Sequence, residues 1–156
     1  RLTDVTGVQT CALPISLYLE LNDTEKAVGL FERAIKIDPE HDSSLNSLGY
    51  VYAEQGIKLE EAQALIEKAL EVDAENGAYL DSLGWVYFKK GDYERALEFL
   101  KRADTVLKDP VIYEHLGDVY YKMNKIPEAD MYWKRSLELK PDQSQLLEKI
   151  KSLENL

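Results

Sequence analysis

Apolar residues recur along most of this chain at helical intervals. Between Gly77 and Lys90, the residues Leu80, Leu83, Gly84 and Tyr87 fall at i, i+3, i+4 and i+7, the spacing that lines one face of an α-helix. The string Leu-Gly-x-Val-Tyr that carries this stripe occurs at Leu48 to Tyr52, at Leu83 to Tyr87 and at Leu116 to Tyr120, with the glycines 35 and then 33 residues apart. After each copy comes an Ala, a large apolar residue four later and a small residue three after that. These sets are Ala62, Ile66 and Ala69, then Ala96, Leu100 and Ala103, then Ala129, Trp133 and Ser136. An earlier set, Ala27, Phe31 and Ala34, has only Leu17 and Tyr18 upstream in the register of Val-Tyr. Each period therefore predicts two helices, and the chain an all-α stack of helix pairs.

Helix ends are marked as regularly as helix faces. Asn22, Gly56, Gly91 and Asn124 recur at the turn inside each pair, and these residue types tolerate the left-handed conformation that closes a helix. Asp92 is placed to cap the helix after it, and Pro110 and Pro127 suit first-turn positions. An extra residue near Ile57 to Leu59 predicts a longer turn there. Glycine inside a helix costs about 1 kcal/mol relative to Ala, so Gly49, Gly84 and Gly117 at one register imply close approach by the second helix.

These residues resemble the tetratricopeptide repeat (TPR) family, whose pattern sets Leu-Gly and Tyr on a first helix and Ala, a Phe-like residue and Ala on a second. The resemblance implies a right-handed α-α superhelix, a solenoid of antiparallel helix pairs, in a bacterial-type C-terminal fragment. It divides the chain into a partial repeat over 16–41, repeats over 42–76, 77–109 and 110–143, and a capping helix over 144–156. Leu45, Leu80 and Tyr113 stand where the family often has Trp, and Ala74 and Lys108 stand where Pro39 and Pro141 keep its inter-repeat Pro. In the last segment Leu147, Ile150 and Leu153 continue the first-helix pattern, but Lys151 replaces the Gly and blocks a further helix.

Residues 1–15 lack this pattern and hold Cys11, the single cysteine. The stretch Val5 to Ile15 resembles, residue for residue, a translated adapter from short-read sequencing libraries, so these residues are set aside as non-native. Without Cys11 there is no disulfide or thiolate chemistry to argue, and any native leader or upstream domain lies outside the sequence, which leaves the compartment open.

A net charge of −10 and a pI near 4.7 oppose a phosphate backbone or an anionic lipid surface, so nucleic acid is not an expected partner. No apolar run approaches the roughly 18 residues needed to span a membrane. His41 and His115 are the only imidazoles and have no metal-ligand spacing around them. Neighbouring acids such as Glu60 and Glu61 point in different directions and read as solvated helix surface. No phosphate loop or nucleophile elbow is present, so neither enzymatic activity nor a cofactor is expected.

On the first helices, the face opposite the apolar stripe is not needed for the repeat's own core. The resemblance implies that these positions line a concave groove holding an extended peptide or a partner helix. Carried over, the lining includes Asn46, Tyr50, Asp81, Trp85, Phe88, Lys89, Glu114, Asp118, Tyr121 and Lys122. Tyr50, Trp85, Phe88 and Tyr121 are the expected anchors, unless they pack against neighbouring first helices instead. Trp133, in contrast, holds a core position, so Trp85 should be open to solvent and Trp133 shielded. Asp81, Glu114 and Asp118 occupy places where some TPR domains hold a chaperone's carboxylate tail with Lys and Asn. That clamp is absent, and the acids favour an apolar segment carrying Lys or Arg. The expected role is a protein-interaction scaffold. The alternatives are a targeting or oligomerising arm of a larger enzyme and self-association through Tyr50, Trp85 and Phe88.

Overall fold

The computed structural model describes residues 24–153, which form α-helices joined by short turns. They are α1 (Thr24–Ile37), α2 (Asp42–Gln55), α3 (Leu59–Val72), α4 (Gly77–Lys90), α5 (Tyr93–Val106), α6 (Pro110–Lys122), α7 (Ile126–Leu139) and α8 (Ser144–Leu153). The expectations for the first fifteen residues, for Leu17 and Tyr18 and for the turn at Asn22 lie outside the described residues. Turns of only a few residues force antiparallel pairs: α2 with α3, α4 with α5, and α6 with α7. Each first helix also packs on the first helix of the next pair, α2 on α4 and α4 on α6, so the pairs build a helical solenoid.

The turn inside each pair is closed by the motif's own tyrosine. Gly56, Gly91 and Asn124 have φ of 67°, 81° and 58°. The N–H after each donates to the carbonyl of Tyr52, Tyr87 or Tyr120 at 3.0, 2.9 and 2.9 Å. The extra residue before α3 is absorbed by Lys58, also left-handed at φ 48°. Gly56→Ala should lower stability by about 1–2 kcal/mol, because an L side chain is strained at that φ although no neighbour crowds it. Urea denaturation of the variant beside wild type measures this, and Gly56→Asn should lose less.

Starts are capped as locally as ends. Asp92 Oδ1 accepts from Arg95 N–H at 3.1 Å, and Asp109 Oδ1 accepts from Val111 N–H at 2.8 Å just ahead of Pro110. The imidazole of His41 caps α2 by accepting from Ser44 N–H at 3.3 Å.

The repeated glycines sit where the two helices of a pair touch. A Cβ on Gly49 would lie 2.7 Å from Ile66 Cγ1, one on Gly84 2.7 Å from Leu100 Cγ, and one on Gly117 would overlap Cδ1 and Nε1 of the Trp133 indole. The small and large residues of the second helices fill this contact: Ala62, Ile66, Ala96, Leu100, Ala129 and Trp133 are all buried, as are Tyr52, Tyr87 and Tyr120.

α8 takes the place of a next first helix but seats differently from the expected stripe. Leu146 is the residue driven into the core, with Ile150 and Leu153 partly buried behind it, while Leu147 is 41% exposed. Leu146, Ile150 and Leu153 follow i, i+4, i+7 and hold one face, whereas a run of i, i+3, i+6 drifts around the helix.

Candidate functional site

The groove face belongs to the first helices, which lie side by side one repeat apart. Two cavities lie along it. One of about 340 Å³ is lined by Asn46, Tyr50 and Asp81 together with Ala78, Asp109 and Val111. Another of about 280 Å³, towards the C-terminal ends of α4 and α6, is lined by Phe88, Asp118, Tyr121, Lys122, Trp133 and Lys149. Glu114 lines a smaller hollow beside the start of α8. Trp85 and Lys89, also expected in the lining, border neither of the two larger cavities.

Trp85 is only 6% exposed, against 2% for Trp133, so both indoles are shielded where only Trp133 was expected to be. The reason is lateral packing of first helices. Trp85 stacks on the His115 ring of α6 at 4.0 Å and on Phe88 at 4.5 Å, and its Nε1 donates to Glu54 Oε2 of α2 at 2.9 Å. Lys89 closes the same patch, with Nζ 3.8 Å from Glu54 Oε1 and 4.9 Å from the Trp85 ring. Tyr121 stays 39% exposed at the edge of the second cavity, tilted against Trp133.

The acids that seemed to await a basic ligand already have partners. Asp81 Oδ1 lies 2.9 Å from His115 Nδ1, and both residues are buried, at 7% and 5% exposure. Lys149 of α8 donates to Glu114 Oε1 at 2.9 Å and to Asp118 Oδ1 and Oδ2 at 2.8 and 2.9 Å. Trp133 Nε1 donates to Asp118 Oδ1 at 3.0 Å.

Burial by itself would lower the His115 pKa, but the neighbouring Asp81 carboxylate, with Asp118 and Glu54 farther off, outweighs it and holds the imidazole above its ordinary 6.5. Burial lifts the Asp118 carboxyl above 3.8 against the pull of Lys149. For Lys149 burial works downward, yet the bonds to Asp118 and Glu114 hold it above 10.5. Burial also pushes the Tyr50 hydroxyl up, helped by Glu54 and Asp81. One polar atom of the groove is left over: Asn46 Oδ1 is buried without a hydrogen-bond partner.

Sequence reasoning gave no role to His115 or Lys149. The signal lay in the period, since Glu54 and Lys89 are 35 residues apart, Asp81 and His115 34, and Glu114 and Lys149 35. An acid on one first helix meets a cation one repeat later.

Comparison with known families fits this architecture. The TPR repeat model matches residues 16–56, and the model of anaphase-promoting complex, cyclosome, subunit 3 matches residues 55–135, just over half of the chain. The chain belongs to the tetratricopeptide repeat family. Its TPR fold is shared with solved structures. Pseudomonas aeruginosa pilF is 28% identical with a TM-score of 0.73, over 89% of this chain and 65% of that one. The chain thus spans a little under two thirds of the length of pilF. A thermophilic TPR protein of Thermus thermophilus is 22% identical with a TM-score of 0.77, over 91% and 78%. The first TPR of Spaghetti, bound to the HSP90 peptide SRMEEVD, is 22% identical with a TM-score of 0.67, over 76% and 94%. No curated protein matches the sequence.

TPR proteins are in general non-catalytic, and a protein-interaction scaffold is the role this chain shares with its family. Among the described residues, no three His, Cys, Asp or Glu side chains are grouped to hold a metal ion, and no helix is long and apolar enough to cross a membrane.

Proposed function

We propose that the groove binds an extended peptide or a partner helix across the first helices. The observation that carries this reading is the cavity of about 340 Å³ lined by Asn46, Tyr50 and Asp81 from neighbouring first helices. Apolar anchors of the ligand go against Tyr50 in this cavity and against Phe88 and Tyr121 in the other.

The ligand class differs from the acidic SRMEEVD peptide in the Spaghetti structure. Glu54, Asp81, Glu114 and Asp118 line the face here, and an acidic tail would meet like charge. An apolar segment carrying Lys or Arg suits it, and its cations compete with Lys89 and Lys149 for those acids.

A display library of random 12-residue peptides, panned on the full chain, tests the reading. Selected peptides should be apolar and basic, and their affinity should fall about tenfold or more for Tyr121→Ala and for Asn46→Ala. Tyr121 lies at the rim, so its loss leaves the fold intact by circular dichroism. Selected peptides that bind both variants as well as wild type would place the site elsewhere.

A further inference from the structure

α8 borders the second cavity. Lys149 and Ser152 form one wall of that cavity, and Phe88, Asp118, Tyr121, Lys122 and Trp133 form the rest. Lys149 stands on the Glu114 and Asp118 carboxylates and 5.7 Å from the Trp133 ring, the contacts proposed above for a lysine of a bound segment.

α8 is also held less firmly than the helices before it. Its ten residues are too few for a helix that is stable alone. Leu146 is its one fully buried side chain, so the seat rests on that leucine, on the partly buried Ile150 and Leu153, and on the Lys149 bridge. Elements with so little buried contact open at lower cost than the rest of a fold.

We propose that α8 is an autoinhibitory strap: Lys149 occupies the Glu114–Asp118 pair in cis, and a lysine-bearing amphipathic helix from a partner binds by displacing it. This rests on the groove reading and adds a regulator to it. The occupant is basic because the vacated pair carries two carboxylates, and amphipathic because Leu146 leaves an apolar seat behind. Tethering by a short link gives α8 an effective concentration in the millimolar range, which a partner must overcome.

The test uses the chain Arg1–Leu156 and a synthetic acetylated peptide with the sequence of Ser144–Leu153, SQLLEKIKSL. Lys149→Gln and, independently, Leu146→Ala weaken the strap, and either should raise peptide affinity about tenfold over wild type. Gln at the Lys149 position of the peptide should weaken binding to wild type and variants alike, and Lys149→Gln should bring little further gain once Asp118→Asn is in the protein. In wild type, saturating peptide should speed hydrogen exchange of the α8 amides. Equal affinity for wild type and both variants, or unchanged α8 exchange at saturation, overturns the strap. The groove reading has its own readout: library peptides that depend on Tyr121 but ignore Lys149→Gln leave the groove standing and remove the strap alone.

Discussion

Replacing His115 by Ala lowers the unfolding free energy by about 3–5 kcal/mol at pH 6, measured by urea denaturation. The magnitude is that of breaking a buried ion pair by removing one partner, which leaves the Asp81 carboxylate 7% exposed without its 2.9 Å imidazole. Loss of the His115 stack on Trp85 adds to it. The double variant His115→Leu with Asp81→Leu should recover most of the loss, because a buried pair exchanged for apolar residues is often neutral or better. A double variant as unstable as the single one would mean that packing, rather than the stranded charge, is what His115 provides.

The same pair gives wild type a pH dependence of definite sign. The folded-state pKa of His115 lies above the unfolded value of 6.5, so its stabilisation is complete below pH 6.5 and is lost as pH rises through the folded pKa. His115→Gln keeps a hydrogen-bonding side chain but cannot titrate, and its stability should be flatter across that window.

Gly117→Ala is the second large effect. Alanine is the better helix former by about 1 kcal/mol, so on an isolated helix the change would stabilise. Here the added Cβ falls well within van der Waals contact distance of Trp133 Cδ1 and Nε1 and 2.9 Å from its Cγ. The indole is rigid and 2% exposed, so it has nowhere to rotate, and shifting it strains its bond to Asp118. A net loss of about 2–4 kcal/mol should follow. Gly84→Ala should cost less, since it meets Leu100, whose side chain can change rotamer. Thermal and urea denaturation of the two variants give the ranking, and a Gly117→Ala protein as stable as wild type would contradict the packing described for α6 and α7.

The glycines, caps and core tyrosines were legible in the sequence because each is fixed within one helix pair. Gly84 in a helix demanded a close neighbour, and Leu100 is there. Gly56, Gly91 and Asn124 demanded left-handed turns, and all adopt them. The groove face was less legible because it depends on how one first helix lies against the next. Repeat alignment sets Asp81 beside Glu114, its equivalent 33 positions on, and makes the face look acidic. The packed helices bring Asp81 instead to His115, 34 positions on. A helical wheel likewise leaves Trp85 on the outer side of α4, while the flanking α2 and α6 cover it through Glu54 and His115. Position in one helix was readable, whereas the offset between parallel helices was not.

α4 is buried without a break from Tyr79 to Tyr87, on its groove side as well as its core side. The residues it contributes to the two cavities, among them Asp81 to one and Phe88 to the other, therefore stand on one continuous, well-buried helix, seven residues apart along its axis. Under the proposed binding mode, a ligand spanning both cavities would be measured against that helix, and α4 would select segments by the spacing of their anchors as well as by their chemistry.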